Sequence, residues 1–453
     1  MVSDVGTIDR RWPRTAALVL RYRYAVVALD QIALSLFNLG LNLVLVRVLS
    51  ATEFGIVSLW MAVALLAVGV QNALVSGPLS VYLPAARDEA AARRLEAALA
   101  TVNLLAIVAS AAAIGLVNMV ADAEWAPPGA AAAVAIPLFV AAGMYREYYR
   151  SVAFSRHDMA MLAWTDAPYL AVTSLCLIAM LVWPQYLAGL VSAFLAMSIG
   201  GAASQLCLRS RRGFRFPRLF TPGCLRAYRG IVGEVSWSLI GVFANHVETR
   251  SYTYIATSLV GLAALAAINV VGVLFRPVTV LMGAWSRSAQ PQFSALLARG
   301  EIAAFDRMLG RALAAATIGS IAWFALLAVL WEPVQRFLLA GKYPEAGLLL
   351  LPWAVASGVS LLRYVTGVAL QSGREFKFLA YAQIVCGVIS AVATVGMILW
   401  QGYTATMWGI AIGNGACLVW QVVRLQRIRR PGYVESLPRW DAAIEKPPQP
   451  AED

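Results

Sequence analysis

The sequence predicts an all-α integral membrane protein with about twelve transmembrane helices. Hydrophobic residues make up 60% of the 453 residues and charged residues only 13%, which is about half the charge of a typical soluble domain. About twelve apolar stretches have the length of roughly twenty residues that a helix needs to cross a hydrocarbon core. The short loops between them are alternately basic and not basic, which is typical of loops on opposite sides of a membrane.

Twelve spans are predicted in chain order. They cover residues 24–47, 56–83, 95–120, 130–152, 159–182, 186–208, 229–256, 262–286, 306–330, 347–371, 378–400 and 405–426. Residues 1–23 form a cytoplasmic segment, in which 13–24 are expected to lie along the interface as a helix. The basic cytoplasmic loop 209–228 separates an N-lobe, 24–208, from a C-lobe, 229–426, so we expect two six-helix bundles. Residues 427–453 are expected to be a disordered cytoplasmic tail.

The distribution of Lys and Arg predicts the orientation of the chain. These residues cluster at both ends of the chain and after every even-numbered span, whereas the opposite side holds only Arg47, Arg250, Arg336 and Lys342. Because cytoplasmic loops carry the excess of Lys and Arg, both termini are predicted to be cytoplasmic. This topology also accounts for the net charge of +12, so no nucleic-acid partner is expected.

Composition also argues against a cofactor-based function. The chain has five cysteines without a CxxC pair and only two histidines. Neither a disulfide framework nor a metal centre is therefore expected. The only small ion that the prediction includes is a coupling ion, H⁺ or Na⁺.

Four predicted spans carry polar residues at helical spacing. Such residues usually face a bundle interior or a water-filled cavity. The stripes are Gln31, Ser35, Asn38 and Asn42 in span one; Glu234, Ser238, Gly241, Asn245, Glu248 and Tyr252 in span seven; Asn269 and Arg276 in span eight; and Ser360, Arg363, Gly367 and Gln371 in span ten.

Two arginines within the membrane lead to a functional hypothesis. Arg276 and Arg363 could line a hydrated cavity for an anionic head group, since guanidinium matches phosphate oxygens. Glu234, Glu248 and Asp30 are then candidates for coupling transport to an ion gradient. Two structural alternatives stay open: interhelical hydrogen bonding by the polar stripes, and an ion pair of Arg276 with Glu248 or Glu234.

Three short segments resemble motifs of one transporter family. They are Val46–Gly55 (VRVLSATEFG), Gly341–Ala346 (GKYPEA) and Leu370–Lys377 (LQSGREFK), and Pro277 and Pro291 flank the predicted end of span eight. Their order and spacing are similar to those of polysaccharide (O-antigen type) flippases of the multidrug/oligosaccharidyl-lipid/polysaccharide (MOP) exporter superfamily. The resemblance extends over residues 24–426.

The resemblance implies a MATE-like fold of two lobes around a central cavity, and a function. Members flip a polyprenyl-pyrophosphate-linked oligosaccharide across the bacterial inner membrane by alternating access, for O-antigen, capsule or exopolysaccharide synthesis. The pyrophosphate would lie against Arg276 and Arg363. The sugar would contact Gln31, Asn38, Asn42, Asn245, Tyr252, Asn269 and Gln371.

The expected partners are the lipid-linked oligosaccharide, the bilayer, and polysaccharide polymerase and chain-length proteins, with the transporter itself a monomer. Two alternatives remain. A MATE-like multidrug or cation antiporter would favour acidic residues over central arginines. A membrane polysaccharide polymerase, ligase or glycosyltransferase would need reactive groups on a large external loop, and all predicted external loops are short. The sugar, the polymer and the coupling ion are not specified by the sequence.

Overall fold

The structure is a computed structural model that describes residues 14–83, 89–120, 129–156, 158–211, 214, 217–222, 228–229, 231–429 and 433. No strand occurs in these residues, and twelve long helices follow one another. They are α1 (Arg14–Val48), α2 (Ala51–Gln71), α3 (Glu89–Val120), α4 (Ala130–Ser155), α5 (Met159–Val182), α6 (Leu190–Ser210), α7 (Val232–Val260), α8 (Leu262–Ala298), α9 (Ile302–Val329), α10 (Leu350–Ser372), α11 (Phe376–Gln401) and α12 (Thr406–Ile428). A π-helical turn, Asn72–Ser76, and a short helix, Gly77–Tyr82, extend α2. The predicted all-α membrane fold is thus confirmed.

Within the described residues, ten helices are long and apolar enough to cross a membrane. The predicted seventh and eighth spans are not among them. They correspond to α7, of 29 residues, and α8, of 37 residues, in which the described residues Leu262–Val278 form an apolar stretch. Both helices are long enough to span a bilayer.

Two helices extend beyond the predicted spans. Helix α1 is continuous from Arg14 into the first span, and the interfacial position of residues 13–24 stays a prediction. Helix α8 passes through Pro277 and Pro291 and continues to Ala298, beyond residue 286, where span eight is predicted to end. Proline removes one backbone donor and yet is tolerated within membrane helices, where neighbouring groups satisfy the freed carbonyl. Of the predicted segments, residues 1–13, most of the tail 427–453 and part of the loop 209–228 lie outside the described residues.

The described residues divide into two compact units. Unit 1 comprises those within Met1–Val44, Gln71–Met119 and Gly129–Val235, and unit 2 those within Leu45–Val70 and Ser236–Asp453. Residues 45–70 therefore pack with the C-terminal half, although they lie between two stretches of unit 1 in the chain. The predicted lobe boundaries stay a prediction.

In unit 1, α4, α5 and α6 pack against one another. Small residues bring these backbones together, because a Cβ on Gly200 would lie 1.9 Å from Thr173 Oγ1. The buried Gln71 donates from Nε2 to Asn103 Oδ1 and to the carbonyl oxygen of Met144, each at 2.6 Å. Close packing at small residues together with interhelical hydrogen bonds is the usual way to hold membrane helices together.

In unit 2, α10 is the central helix and packs against α8, α9 and α12, while α12 also packs against α11. A Cβ on Gly409 would lie 2.3 Å from Thr394 Cα, and one on Gly413 would lie 2.4 Å from Ser390 Cβ. These two glycines therefore set the close approach of α11 and α12. The predicted motif segments lie at the turns of this unit.

The Val46–Gly55 segment forms the turn between α1 and α2. Ser50 caps α2, since its Oγ accepts from the Glu53 backbone N–H at 3.2 Å while Glu53 Oε2 accepts from the Ser50 N–H at 2.9 Å. This reciprocal arrangement is a capping box. A Cβ on Gly55 would lie 2.2 Å from the carbonyl oxygen of Leu262, so the glycine permits contact with the start of α8.

The Leu370–Lys377 segment forms the turn between α10 and α11. Glu375 accepts hydrogen bonds from Arg424 Nη2 and from the Tyr433 hydroxyl, both at 2.8 Å. Burial and the hydrogen bond to Glu375 raise the pKa of Tyr433 to about 12, so the phenol remains a donor at neutral pH. This turn thus fastens the end of α12 and the residue Tyr433 that follows it.

Candidate functional site

The candidate site in unit 2 is built on α7 and α8, which form an antiparallel hairpin. Gly261, at φ +85°, separates the two helices, a conformation that glycine adopts without steric cost. The buried Tyr252, nine residues before Gly261, donates to Asn269 Oδ1, eight residues after it, at 2.9 Å. This hydrogen bond fixes the register of the hairpin and joins two of the predicted sugar-contacting residues.

A buried ion pair joins this hairpin to α10. The Glu248 carboxylate is 5% exposed and forms a salt bridge with the Arg363 guanidinium. Arg363 Nη1 also lies 3.9 Å from Cys417 Sγ on α12. In the described part of the chain, Arg363 Nε has no hydrogen-bond partner. The two predicted site residues therefore neutralise each other.

The backbone is close-packed next to this pair. A Cβ on Gly387 of α11 would lie 3.4 Å from Glu248 Cα. Asn245, one turn before Glu248, is exposed and accepts from Gln383 Nε2 at 3.0 Å. The site thus has a buried charged part and an adjacent exposed amide pair, which can offer hydrogen bonds to a polar ligand.

Arg276 occupies a different position from Arg363. It is exposed, and it lies fourteen residues after the start of α8, or about 21 Å along the axis. Asn269 lies two turns closer to Gly261 on the same face. The predicted alternative is an ion pair of Arg276 with Glu248 or Glu234. Glu248 pairs with Arg363, and the side chain of Glu234 lies outside the described residues.

Arg250 is a site residue that sequence reasoning missed. It was assigned to the external side, but it lies ten residues before the end of α7, about 15 Å from that end. Arg250 is close enough to Arg276 for the two positive charges to interact. Its charge also interacts with the His246 imidazole, whose Nε2 lies 2.7 Å from the Tyr254 hydroxyl. The sequence feature that indicated this position is the distance of Arg250 from the end of the helix.

The remaining C-lobe predictions are less central. Gln371 is exposed in the last turn of α10, two turns beyond Arg363. It therefore lies beside the turn that holds Glu375, not beside the ion pair. Glu234 belongs to α7, but its side chain lies outside the described residues.

The span-one residues belong to unit 1. Gln31 Nε2 donates to Asp30 Oδ2 at 3.2 Å, and Asn42 Nδ2 donates to the carbonyl oxygen of Asn38 at 2.6 Å. Asn38 is exposed, whereas Asn42 is buried. Local hydrogen bonds thus account for part of this stripe.

Unit 1 also contains a buried network of charges. Asp166 is 1% exposed. One of its carboxylate oxygens accepts from Arg146 Nη1 and the other from Arg150 Nε, each at 2.8 Å. Arg150 further reaches Glu147 at 2.9 Å and Asp30 at 3.5 Å. The three acids and two arginines leave one net negative charge. The topology prediction assigns Arg146 and Arg150 to the basic cytoplasmic end of span four, and it does not anticipate their common partner.

The amino-acid sequence matches the family described as "Polysaccharide biosynthesis protein" over residues 23–296, which is more than half of the chain. The protein belongs to this family. No significant match was found among curated protein sequences.

Solved structures of MOP superfamily transporters share the fold of this family member. An inward-facing multidrug MATE transporter superposes with a TM-score of 0.68 at 12% identity, covering 88% of this chain and 96% of its own. The lipid II flippase MurJ, in an inward closed conformation, gives 0.66 at 11% identity, covering 90% of each chain. A MATE transporter in complex with MaL6 gives 0.58 at 13% identity, covering 90% of this chain and 97% of its own. The predicted family resemblance is confirmed by the family match, and these structures confirm the predicted fold.

Proposed function

We propose that the protein is a flippase that moves a polyprenyl-pyrophosphate-linked oligosaccharide across the bacterial inner membrane by alternating access. The product would supply the synthesis of O-antigen, capsule or exopolysaccharide, with polymerase and chain-length proteins as partners. Family membership supports a role in polysaccharide biosynthesis, and the shared fold supports transport over enzymatic catalysis.

The observation that carries the proposal is the exposed Arg276 on α8, with Arg250 within electrostatic range. A guanidinium facing lipid at this depth would be unfavourable, so the exposed side chain is best explained by a hydrated space. Two guanidiniums match the several oxygens and negative charges of a pyrophosphate. A transporter of organic cations would gain nothing from this pair.

The Glu248–Arg363 pair offers a route to ion coupling. A phosphate oxygen that reached Arg363 would compete with the carboxylate for the same guanidinium. A buried carboxylate that loses its cation is strongly destabilised unless it takes up a proton or a metal cation. Substrate binding at Arg363 would therefore favour H⁺ or Na⁺ binding at Glu248.

The neutral polar residues supply the sugar contacts in this proposal. Asn245, Tyr252 and Asn269 lie on the same hairpin as Arg276. Hydroxyl and amide groups both donate and accept hydrogen bonds, which suits a sugar whose hydroxyls do the same. Gln31, Asn38, Asn42 and Gln371 remain candidates for the same role.

Purified protein in vesicles tests the proposal. Wild-type protein should expose a labelled polyprenyl-pyrophosphate oligosaccharide to an external probe faster than empty vesicles do. Arg276→Ala should reduce the rate by at least about tenfold, which corresponds to about 1.4 kcal/mol of lost binding. The matched control is Arg311→Ala, an exposed arginine of α9, which should transport normally.

Two outcomes would contradict the proposal. If folded wild-type protein transfers no more lipid than empty vesicles, the flippase function is wrong. If Arg276→Ala loses folded yield in proportion to transport, Arg276 has a structural role. Uptake of a cationic drug by the same vesicles, without lipid transfer, would assign the protein to drug antiport instead.

A further inference from the structure

Two of the family-like segments, separated by almost 300 residues, bind each other. Lys342, in the Gly341–Ala346 segment, places its Nζ 2.6 Å from the carbonyl oxygen of Arg47 and 2.8 Å from that of Leu49. The Val46 carbonyl oxygen is 3.5 Å away. The Lys342 ammonium therefore caps the C-terminal end of α1 from another part of the chain, where the helix leaves carbonyl groups without an intrahelical partner.

A second contact runs in the opposite direction. Arg47 Nη1 donates to the carbonyl oxygen of Phe337 at 3.2 Å. The loop that carries Phe337 and Lys342 is held in shape by two consecutive left-handed residues, Ala340 at φ +53° and Gly341 at φ +69°. Gln335 Nε2 also donates to the carbonyl oxygen of Tyr343 at 2.7 Å. The loop is thus preformed to present its lysine to the end of α1.

Charge and exposure make these contacts reversible. The acceptors are carbonyl oxygens, and Glu53 is the acid whose charge acts on Lys342 among the described residues. Both Lys342 and Arg47 are exposed, so water can replace the carbonyls without leaving a buried charge. Basic residues are scarce on the side that the topology assigns to the outside, and two of those predicted there are these two.

The position in the chain gives the contacts a conformational meaning. Residues 45–70 pack with unit 2, but the chain enters and leaves them from unit 1. A fastening at this turn therefore determines whether the turn stays with unit 2.

We propose that Lys342 and Arg47 form a releasable latch, which holds the α1–α2 turn on unit 2 in one state of the transport cycle and opens in another. The requirement for opening rests on the proposed transport function. The fastening itself does not, so the two can be tested separately.

Thiol cross-linking tests the fastening without any substrate. In a folded variant whose natural cysteines are replaced by alanine, Arg47→Cys and Phe337→Cys introduce a pair across the contact, to be joined by a reducible bifunctional maleimide. Adding Lys342→Met should slow cross-linking about tenfold, the change expected if one charge-assisted contact worth about 1.4 kcal/mol is lost. The control is Arg336→Gln on the same loop, whose 71% exposed side chain contacts only Glu332 among described carboxylates, and it should leave the rate unchanged. Equal rates in the two variants would overturn the latch.

Transport by the cross-linked protein tests the opening. In vesicles, the Arg47→Cys and Phe337→Cys protein should lose lipid transfer when cross-linked and regain it after reduction, while each single-cysteine variant is unaffected by the reagent. Undiminished transfer in the cross-linked state would make the contact a static cap. Absence of transfer by wild-type protein would overturn the flippase function, while the cross-linking rates would still decide the fastening.

Discussion

At the scale of single residues, opposite charges within the membrane pair in two separate places. Asp166 binds two arginines in unit 1, and Glu248 binds Arg363 in unit 2. Burying two ions is costly, and their attraction repays the cost only when both partners are present. Each of these residues should therefore be sensitive to loss of its partner.

A double-mutant cycle at Glu248 and Arg363 should show this dependence. Glu248→Gln and Arg363→Met should each lower the free energy of unfolding by about 3 kcal/mol, because each leaves the other group buried and unpaired. The double variant should lose less than either single variant. Thermal unfolding in detergent measures the effect.

The control for this cycle is the exposed Arg336–Glu332 pair. Arg336→Gln should change stability by less than about 1 kcal/mol. Additive losses in the double variant would contradict a direct coupling between Glu248 and Arg363.

Asp158 gives a pH-dependent prediction outside the membrane spans. It accepts from the Met161 N–H at 2.9 Å at the start of α5, and from Arg211 at 2.8 Å and 3.1 Å. Burial alone would raise the pKa of Asp158, but the hydrogen bonds from Arg211 and Met161 outweigh it and lower the pKa. A depressed pKa in the folded state stabilises the protein above the unfolded value of about 3.9, and this stability is lost as pH falls through the folded pKa.

Asp158→Ala should therefore cost about 1–2 kcal/mol at pH 7, since it removes a helix cap and an ion pair. The difference in free energy of unfolding between Asp158→Ala and wild type should become smaller below about pH 4, where the wild-type carboxylate begins to protonate. Asp158→Asn keeps a capping side chain and should cost less than Asp158→Ala. Unfolding temperatures at pH 7, 4 and 2.5 measure this, and a difference that is independent of pH would contradict the charge-based explanation.

At the scale of helices, packing depends on where glycine lies on each helix face. Gly409 and Gly413 face α11 at distances that admit no side chain, whereas a Cβ on Gly415 in the same helix would meet nothing within 4 Å. Small residues at an interface let membrane helices approach closely. The same substitution should thus have opposite effects at positions of one helix.

Gly413→Ala and Gly409→Ala should each lower the free energy of unfolding by about 1–3 kcal/mol, because the added methyl overpacks the α11–α12 interface. Gly415→Ala should be neutral or raise it by up to about 1 kcal/mol, since alanine is the better helix former. Thermal unfolding of the three variants in detergent measures these changes in stability. Equal losses at all three positions would show that the α11–α12 interface is not the cause.

At the scale of the whole molecule, the loops determine the orientation and the helices only the number of crossings. The described residues form twelve long helices, and the cytoplasmic assignment of both termini comes from the placement of Lys and Arg in the sequence. This assignment is a prediction that fusion reporters can measure.

A fluorescent protein fused after residue 429 should be fluorescent in the cytoplasm. Alkaline phosphatase inserted at Gly402, or in the turn at Gly189, should be active on the outside. Both turns lack Lys and Arg nearby, as expected of external loops. Phosphatase activity at the C-terminus would reverse the orientation, and activity at only one of the two turns would change the number of crossings.

Membrane helices were predictable because their length and apolarity are set by the bilayer, not by the rest of the protein. Other features depend on tertiary contacts. Helix α8 continues through Pro291 to Ala298, and no local signal distinguishes a proline that bends a membrane helix from one that ends it. Arg146 and Arg150 are assigned to topology because a one-dimensional rule cannot show that both face the buried Asp166.

The sequence by itself determined an all-helical membrane protein, its family and the residues that could not face lipid, because a bilayer penalises polar groups at every position along the chain. Only the tertiary structure decided which charges meet. Glu248 binds Arg363 instead of Arg276, and Lys342 binds the end of α1 almost 300 residues away. Coulomb attraction depends on the distance between two charges in space. That distance is set by the packing of helices far apart in the chain, and the helical periodicity of one segment gives no information about it.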